Sequence, residues 1–303
     1  MRQFMVICAV ACLAGVLCLA ASAQDFRAPD SVIAGDEASL STSGRGKATF
    51  YLLGPGVSRK SDVNLGEEIH LTTLELRNAG GYVAILCSDS CKSVRFYVSA
   101  AKPASLAFLV HPSRVPVSQG DAVSGVALPF DRFHNLVQTP VTINFQLMAG
   151  NVPVASRSAR TQDGVAWFRT ASGRSAGNLQ VIATADRLLG DHLLGDHLPG
   201  GDLSARRAVQ QVASDPCNLR IQAQRTAAGI VVETEPVHDC AGNVVPDGTI
   251  VTFTAAQAHG RSTVDAPIKQ GVARAQMAAS GPTVVSAASG VVLGNELRIE
   301  GQP

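Results

Sequence analysis

Two stretches of this sequence, 108 residues apart, correspond position by position and decide its fold. The first reads Asp131-Arg-Phe-His-Asn-Leu-Val-Gln-Thr-Pro-Val-Thr-Ile-Asn-Phe145, and the second reads Asp239-Cys-Ala-Gly-Asn-Val-Val-Pro-Asp-Gly-Thr-Ile-Val-Thr-Phe253. The offset is constant and needs no gap (239 minus 131, 253 minus 145). In each copy a polar loop leads into alternating apolar residues, the pattern of a loop that enters a β-strand. The repeat predicts tandem β-modules rather than one catalytic domain.

The first residues are typical of an export signal. Arg2 precedes an apolar run from Met5 to Ala20, and Ala21-Ser22-Ala23 fits the small-residue cleavage pattern. The run is short for a membrane span and lacks the usual flanks, although an uncleaved anchor is the alternative. We therefore expect a signal peptide over residues 1–23 and no transmembrane segment in the mature chain.

The composition excludes several classes of function. The chain has a formal net charge of +1, only 16% charged residues, 28 Gly and 15 Pro. Near neutrality without a basic patch argues against a nucleic-acid partner, and the abundance of turn residues favours a β-rich exported protein. No glycine-rich phosphate loop precedes a helical pattern, so we expect no cofactor.

Strand-like runs separated by turn residues fill the mature chain and predict an all-β protein. Between residues 105 and 212 there are seven such runs, the number in a Greek-key sandwich. In the preceding segment the expected strands are Ala48–Leu53, Glu68–Leu76, Gly81–Cys87 and Cys91–Val98. We expect three tandem immunoglobulin-like Greek-key β-sandwiches after the signal peptide, at residues 24–100, 101–213 and 214–303.

Four cysteines remain once the signal is removed, and an even number in an exported chain favours disulfides. Cys87 and Cys91 flank a tight hairpin turn, which places them within disulfide reach. Cys217 begins the first strand of the third module and Cys240 follows the second, antiparallel strand, so both lie at the same end of the sandwich. A redox or metal role for Cys87 and Cys91, and a free thiol pair at Cys217 and Cys240, are the alternatives.

At these residues the chain resembles the bacterial immunoglobulin-like domain of the invasin/intimin type. In the third module the resemblance rests on Asp239, Gly242-Asn243, Val245–Gly248, Phe253, Gly271–Ala273 and Val284–Ala288. The second module is similar at Asp131, Asn135, Phe145, Asp163–Ala166 and Gln180–Ala185, but it lacks the Pro-Asp-Gly turn. The resemblance implies tandem modules of bacterial surface or secreted proteins, used as spacers, stalks or adhesive segments.

The turn residues of the third module have a physical role that does not depend on the resemblance. Asp239 and Asn243 bracket a loop in which side chains can cap backbone groups. Pro246 presets φ, Asp247 follows it, and Gly248 accepts the strained position of the turn. We interpret all five as structural residues, and we predict no catalytic residue.

A duplicated segment offers the strongest candidate binding loop. Leu188-Leu-Gly-Asp-His192 is followed by Leu193-Leu-Gly-Asp-His197 and then by Leu198-Pro-Gly-Gly-Asp202. Its aspartates and histidines could ligate a divalent metal such as zinc; the candidates are Asp191, His192, Asp196, His197 and Asp202. The simpler interpretation is a solvated, enlarged loop 188–202 at the N-terminal end of the second module.

Two further features receive structural interpretations. Gly173-Arg-Ser-Ala-Gly177 matches the Gly-x-Ser-x-Gly string of hydrolases, but a strand-like run follows where that nucleophile needs a helix, so Ser175 is expected in a plain loop. Trp167 alternates with Val165 on one strand face, and we expect it in the core rather than against a carbohydrate.

The sequence thus predicts an exported, non-enzymatic bacterial protein of the periplasm, the cell surface or the extracellular space. Its expected role is that of a spacer, adhesion or interaction module whose partner is a protein or glycan at the cell surface. The alternative is an accessory binding protein that captures a metal or glycan with loop 188–202.

Overall fold

The computed structural model describes residues 25–185 and 203–301, and the described residues contain 24 strands and no helix. The early strands are β1 (Phe26–Arg27), β2 (Ser31–Ile33), β3 (Ala38–Thr42), β4 (Lys47–Gly54), β5 (Val57–Asn64), β6 (Ile69–Leu71), β7 (Gly80–Cys87) and β8 (Cys91–Ser99). The middle strands are β9 (Ser105–His111), β10 (Arg114–Pro116), β11 (Val123–Phe130), β12 (Thr142–Ala149), β13 (Val152–Arg160), β14 (Ala166–Thr170), β15 (Gly177–Ala185) and β16 (Leu203–Val212). The late strands are β17 (Ile221–Thr226), β18 (Gly229–Thr234), β19 (Ile250–Gln257), β20 (Gly260–Pro267), β21 (Arg274–Met277), β22 (Thr283–Ser289), β23 (Val292–Leu293) and β24 (Leu297–Ile299).

These strands form six sheets, which make three pairs. Each pair joins a three-stranded sheet to a five-stranded one. The three-stranded sheets are β1-β3-β6, β14-β11-β9 and β17-β18-β21, and the five-stranded sheets are β2-β8-β7-β4-β5, β10-β16-β15-β12-β13 and β20-β19-β22-β23 with β24 also on β22. The all-β immunoglobulin-like class expected from the sequence is confirmed.

Each sheet pair encloses its own apolar core. In the first pair Leu40 and Leu71 of one sheet pack with Phe50 and Leu86 of the other. In the third pair, Val232 and Phe253 come from opposite sheets of one cluster. The second core is built on aromatic rings, since Phe145 of β12 lies 5.9 Å from Phe108 and 4.6 Å from Phe168, measured between ring centroids.

The chain divides into two compact units. The first comprises residues up to Lys102 together with Asp131–Asn135, and the second comprises Pro103–Phe130 and Leu136–Pro303. The second unit therefore contains the second and third sheet pairs. No helix in the described residues is long and apolar enough to cross a membrane.

The structure corrects several strand predictions. The expected strand Glu68–Leu76 ends at Leu71, because the Glu75 carboxylate accepts hydrogen bonds from the Thr72 amide and hydroxyl and closes a turn. Seven strands that the sequence did not predict are present: β1, β2, β3, β5, β10, β20 and β23. β5 and β20 are edge strands rich in polar residues, which is how sheets protect an open edge.

The prediction that Trp167 packs in the core is wrong. Its neighbours Ala166 and Phe168 point into the core, so alternation along β14 turns the indole outward, and Trp167 is 65% exposed. Gly125 on the facing strand makes room for the Phe168 ring, because a Cβ at Gly125 would lie 2.2 Å from Phe168 Cε1. The face that sequence alternation assigned to the core is the outer face.

Two disulfides are present in the structure. Cys87 and Cys91 are joined across the β7–β8 hairpin with an S–S distance of 2.03 Å. Cys217 and Cys240 are joined with an S–S distance of 2.09 Å, beside a hydrogen bond from the Cys217 amide to the His238 carbonyl.

Candidate functional site

The loop from Asp239 to Asn243 is organised around one buried carboxylate. Asp239 Oδ1 accepts hydrogen bonds from the amides of Ala241 (2.9 Å) and Asn243 (2.8 Å). Its Oδ2 accepts from the Ser214 amide (3.0 Å), which lies in the segment between β16 and β17. A single side chain thus closes its own loop and fixes the segment that joins the second sheet pair to the third.

The electrostatics of the carboxylate follow from these hydrogen bonds. Burial raises the pKa of Asp239, but donors from Asn243, Ser214 and Ala241 outweigh it and bring the pKa below its ordinary value. Burial likewise raises the pKa of Asp131, and hydrogen bonds from Asn135, Ala101 and Phe133 reverse the shift and lower it. Both carboxyl groups are therefore held in the ionised form.

Asn243 carries the contact across the junction. Its Nδ2 donates to the Arg174 carbonyl (2.8 Å) and to Asp239 Oδ2 (3.0 Å), while its Oδ1 accepts from the Ala176 amide (2.7 Å). Arg174 and Ala176 precede β15 in the second sheet pair, whereas Asn243 belongs to the third. One carboxamide therefore uses its donor and its acceptor to bind both backbone groups of a neighbouring loop.

The loop from Asp131 to Asn135 repeats this geometry within the first compact unit. Asp131 Oδ1 accepts from the amides of Phe133 (2.8 Å) and Asn135 (2.9 Å), and Oδ2 accepts from the Ala101 amide (2.9 Å). Asn135 Nδ2 donates to the Arg77 carbonyl (2.8 Å), and Asn135 Oδ1 accepts from the Ala79 amide (2.8 Å). The 108-residue repeat is thus also a repeat of hydrogen bonds. We call each set an Asp–Asn clasp.

The loops that receive the two asparagines are also alike. Arg77-Asn-Ala-Gly80 and Arg174-Ser-Ala-Gly177 share the pattern Arg-x-Ala-Gly. Gly80 has φ of 142° and Gly177 has φ of 140°, in the region that favours glycine. Sequence reasoning missed this second repeat, whose signal was the short Arg-x-Ala-Gly string, and considered Ser175 only as part of a hydrolase-like string.

In the third sheet pair the corresponding loop, before β22, is bound by its own chain. Arg225 Nη1 donates to the Ala279 carbonyl (3.2 Å) and Nη2 donates to the Gly281 carbonyl (2.6 Å). Arg225 Nε also donates to the Glu300 carbonyl (3.0 Å). In this loop the carbonyls therefore accept hydrogen bonds from a guanidinium of the same sheet pair.

The Pro246-Asp247-Gly248 turn follows the clasp in the next segment of chain. Asp247 Oδ1 accepts from the Gln270 amide (2.8 Å), and Gly248 has φ of 91°. The Gly248 amide donates to the Ile268 carbonyl (2.9 Å), so the turn is attached to the end of β20. All five turn residues singled out in the sequence thus occupy one continuous loop that ends at the start of β19.

The metal candidates Asp191, His192, Asp196, His197 and Asp202, and the whole of loop 188–202, lie outside the described residues, as does the signal segment 1–23. Within residues 25–185 and 203–301 no three His, Cys, Asp or Glu side chains are grouped as metal ligands. The chemistry of the site described above is hydrogen bonding between backbone and fixed polar side chains.

Comparison with known proteins identifies the fold. No protein-family model matches the sequence, and no curated protein matches it significantly. Among solved structures the chain is similar to the Escherichia coli adhesin FdeC, with a TM-score of 0.58 and 14% identity over 92% of this chain and 99% of that one. It is also similar to invasin, a bacterial integrin-binding protein, with a TM-score of 0.51 and 11% identity over 92% of this chain. The match spans 60% of the invasin chain. At these identities the comparison establishes that the chain has the tandem immunoglobulin-like fold of these bacterial proteins.

Proposed function

We propose that the chain is an exported, non-enzymatic spacer of three immunoglobulin-like modules, residues 24–100, 101–213 and 214–303, that holds adhesive or protein-interaction surfaces in fixed positions. It acts in the periplasm, at the cell surface or outside the cell, and its partner is a protein or glycan there. The adhesin FdeC and invasin share its fold, which supports this assignment.

One observation carries the proposal: Asp239 and Asn243 connect the third sheet pair to the chain of the second. Asp239 accepts a hydrogen bond from the amide of Ser214, in the segment between β16 and β17. Asn243 bonds to the Arg174 carbonyl and the Ala176 amide, in the loop before β15. A spacer needs its modules to keep a constant relative orientation. Hydrogen bonds between adjacent modules restrict changes in that orientation that a short linker alone would allow.

The spacer proposal is tested by measuring how tightly the second and third modules are held. Fluorescence energy transfer between labels at the exposed Ser156 and Ser262 reports the distance between them, with noncanonical amino acids used so that the disulfides stay intact. We expect one narrow distance distribution in the mature chain. Asn243→Ala removes the contacts with Arg174 and Ala176 and should broaden that distribution.

The matched control is Asn295→Ala. Asn295 also accepts a backbone hydrogen bond through Oδ1, from the Ile221 amide at 2.8 Å, but it lies within the third sheet pair. This variant should keep the narrow distribution. A broad distribution in the unaltered chain, or no difference between the two variants, would refute the spacer proposal.

Export has its own test. Full-length chain expressed in its host should lose residues 1–23 and be recovered outside the cytoplasm, whereas a chain that starts at residue 24 should stay inside. Recovery of the full-length chain, uncleaved, in the cytoplasmic fraction contradicts the proposal.

A further inference from the structure

Each clasp asparagine binds the same pair of backbone groups in the loop that receives it. The receiving loop is 77–80 for Asn135 and 174–177 for Asn243. In both loops the asparagine donates to the carbonyl of the first residue and accepts from the amide of the third. We call these loops the first and second acceptor loops. The repeat therefore extends from the asparagine to the groups that it binds.

Strand register locates the corresponding loop in the third sheet pair. The second acceptor loop ends four residues before Val181 of β15 (181 minus 177), and Val181 lies opposite Leu147. The equivalent residue of β22 is Val285, because it lies opposite Ala255, which follows Leu147 by the repeat offset of 108 (255 minus 147). Residues 278–281 therefore correspond to the second acceptor loop, and we call them the third acceptor loop.

Gln257 makes on the third acceptor loop the hydrogen bonds that an asparagine makes on the other two. Its Nε2 donates to the Ala278 carbonyl (3.3 Å), and its Oε1 accepts from the Ser280 amide (3.5 Å). The bound groups are again the carbonyl of the first residue and the amide of the third. This carboxamide, however, belongs to β19 of the same sheet pair, whereas Asn243 and its acceptor loop belong to different sheet pairs.

The position of Gln257 in its hairpin carries a small residue in the other two sheet pairs. Gln257 is the last residue of β19 and pairs with Gly260 across a two-residue turn. Ala149 ends β12 in the same way, and Gly54 ends β4. Neither residue has a polar side chain, and the acceptor loops of those two sheet pairs bind a clasp asparagine. The carboxamide therefore comes either from a clasp or from the hairpin itself.

Arg225 supports the third acceptor loop without taking the place of an asparagine. It donates to the Ala279 and Gly281 carbonyls, which are the second and fourth residues of the loop. In the second acceptor loop, Gln211 Nε2 donates in the same way to the carbonyl of the second residue, Ser175 (3.2 Å). Both contacts come from within the sheet pair that owns the loop, so they leave the asparagine-type contacts to another side chain.

Gln257 holds the third acceptor loop with an entropic advantage over an asparagine from another module. Its hydrogen bonds of 3.3 and 3.5 Å are longer than those of Asn243, at 2.8 and 2.7 Å. A side chain already fixed on β19 loses little freedom when it binds, whereas a module on a linker loses orientational freedom. Ala278 and Ser280 are exposed, so removal of Gln257 would open both backbone groups to another carboxamide.

We propose that Gln257 is a cap. It occupies the place of a clasp asparagine on the third acceptor loop and closes this surface to the Asp–Asn loop of a further immunoglobulin-like module. In repeat proteins, polar caps of this kind protect a stacking surface that no neighbouring unit covers. The inference rests on the proposed spacer role, in which clasps join modules. Asn243→Ala in the unextended chain tests that role, and the experiments below test the cap.

Amide exchange in the full mature chain tests the contact itself. In Gln257→Ala the Ser280 amide loses its acceptor and should exchange with solvent deuterium at least about threefold faster. The matched control is Gln222→Ala, which removes an exposed glutamine from β17 of the same sheet pair and should leave that rate unchanged. Equal Ser280 exchange in Gln257→Ala and the unaltered chain overturns the proposal.

An added module tests the closure of the loop. The mature chain is extended after residue 303 by a second copy of residues 214–303, so that an Asp239–Asn243 loop follows the third acceptor loop as it follows the second. Fluorescence energy transfer between labels at Ser262 of the original and of the added copy reports their distance. With Gln257 in place we expect a broad distribution, and Gln257→Ala in the original copy alone should narrow it.

Two further variants of the extended chain connect this narrowing to the clasp. Asn243→Ala in the added copy, combined with Gln257→Ala in the original, should broaden the distribution again, because the open loop then has no asparagine to bind. Gln222→Ala in the original copy should leave the distribution broad. The proposal is overturned if the extended chain is already narrowly distributed with Gln257 in place, or if Gln257→Ala leaves it broad.

Discussion

Asp239 and Asn243 make different hydrogen bonds in the clasp because a carboxylate and a carboxamide differ in their donors and acceptors. A carboxylate has two oxygens that only accept, which suits a position where the amides of Ala241, Asn243 and Ser214 converge. A carboxamide both donates and accepts, which suits a position opposite the Arg174 carbonyl and the Ala176 amide. Exchanging the two residue types would place like groups face to face and leave buried groups unpaired, which is costly.

Removal of the Asp239 carboxylate should therefore destabilise the third sheet pair. Asp239→Ala leaves the amides of Ala241, Asn243 and Ser214 without their acceptor, and we expect a loss of about 3 kcal/mol in the free energy of unfolding, measured with urea. The matched control is Asp265→Ala, since Asp265 is exposed and accepts only from the Thr252 hydroxyl among the described contacts. A comparable loss of unfolding free energy in both variants would show that the clasp stabilises the fold no more than an exposed hydrogen bond does.

The lowered pKa of Asp239 also predicts a pH dependence. The folded state favours the ionised carboxylate, so its contribution is present at neutral pH and is lost as the pH falls from the ordinary value of 3.8 through the lower folded pKa. Urea unfolding between pH 7 and pH 2 should show this acid loss in the unaltered chain. In Asp239→Asn the acid loss should be smaller, and an identical pH profile in both would contradict the prediction.

At the scale of elements, the two disulfides close loops of very different size. Cys217 and Cys240 are 23 residues apart and attach the segment before β17 to the Asp239 loop, whereas Cys87 and Cys91 are 4 apart and close a hairpin turn. A cross-link stabilises mainly by limiting the unfolded chain, and the effect grows with the length of the loop.

Replacing both Cys217 and Cys240 by serine should cost about 3 kcal/mol of unfolding free energy, as expected for a loop of this length. Replacing Cys87 and Cys91 in the same way should cost less, which makes the hairpin pair the internal control. Urea unfolding of the two double variants measures both values. A larger loss from the hairpin pair would contradict the loop-length argument.

At the scale of the whole molecule, the clasp makes the exchange protection of amides in the second sheet pair depend on residues of the third. The Ala176 amide donates to Asn243 and the Ser214 amide donates to Asp239, so both amides should exchange slowly with solvent deuterium. In Asn243→Ala the Ala176 amide should exchange at least about tenfold faster, while amides inside β15 keep their protection. Unchanged exchange at Ala176 would mean that the contact does not persist in solution.

Much of the fold follows from alternation along single strands, and this part was accessible from the sequence. In β11, Val123 to Phe130 alternates buried and half-exposed residues, and each of the seven runs expected between residues 105 and 212 corresponds to a strand. The edge strands β5 and β20 were not predicted because they are rich in polar residues and lack the apolar alternation of a strand that faces a core. They form strands because each pairs with a neighbouring strand, which the local sequence does not reveal.

The sequence by itself determined the all-β class, the repeated Asp and Asn positions and the cysteines able to pair, because each depends on the order of residues along the chain. Tertiary structure alone decided that Asn243 binds the loop before β15 and that Trp167 faces solvent. A local pattern specifies which residues share a face of a strand, but only the packing of a second sheet decides which of the two faces is buried.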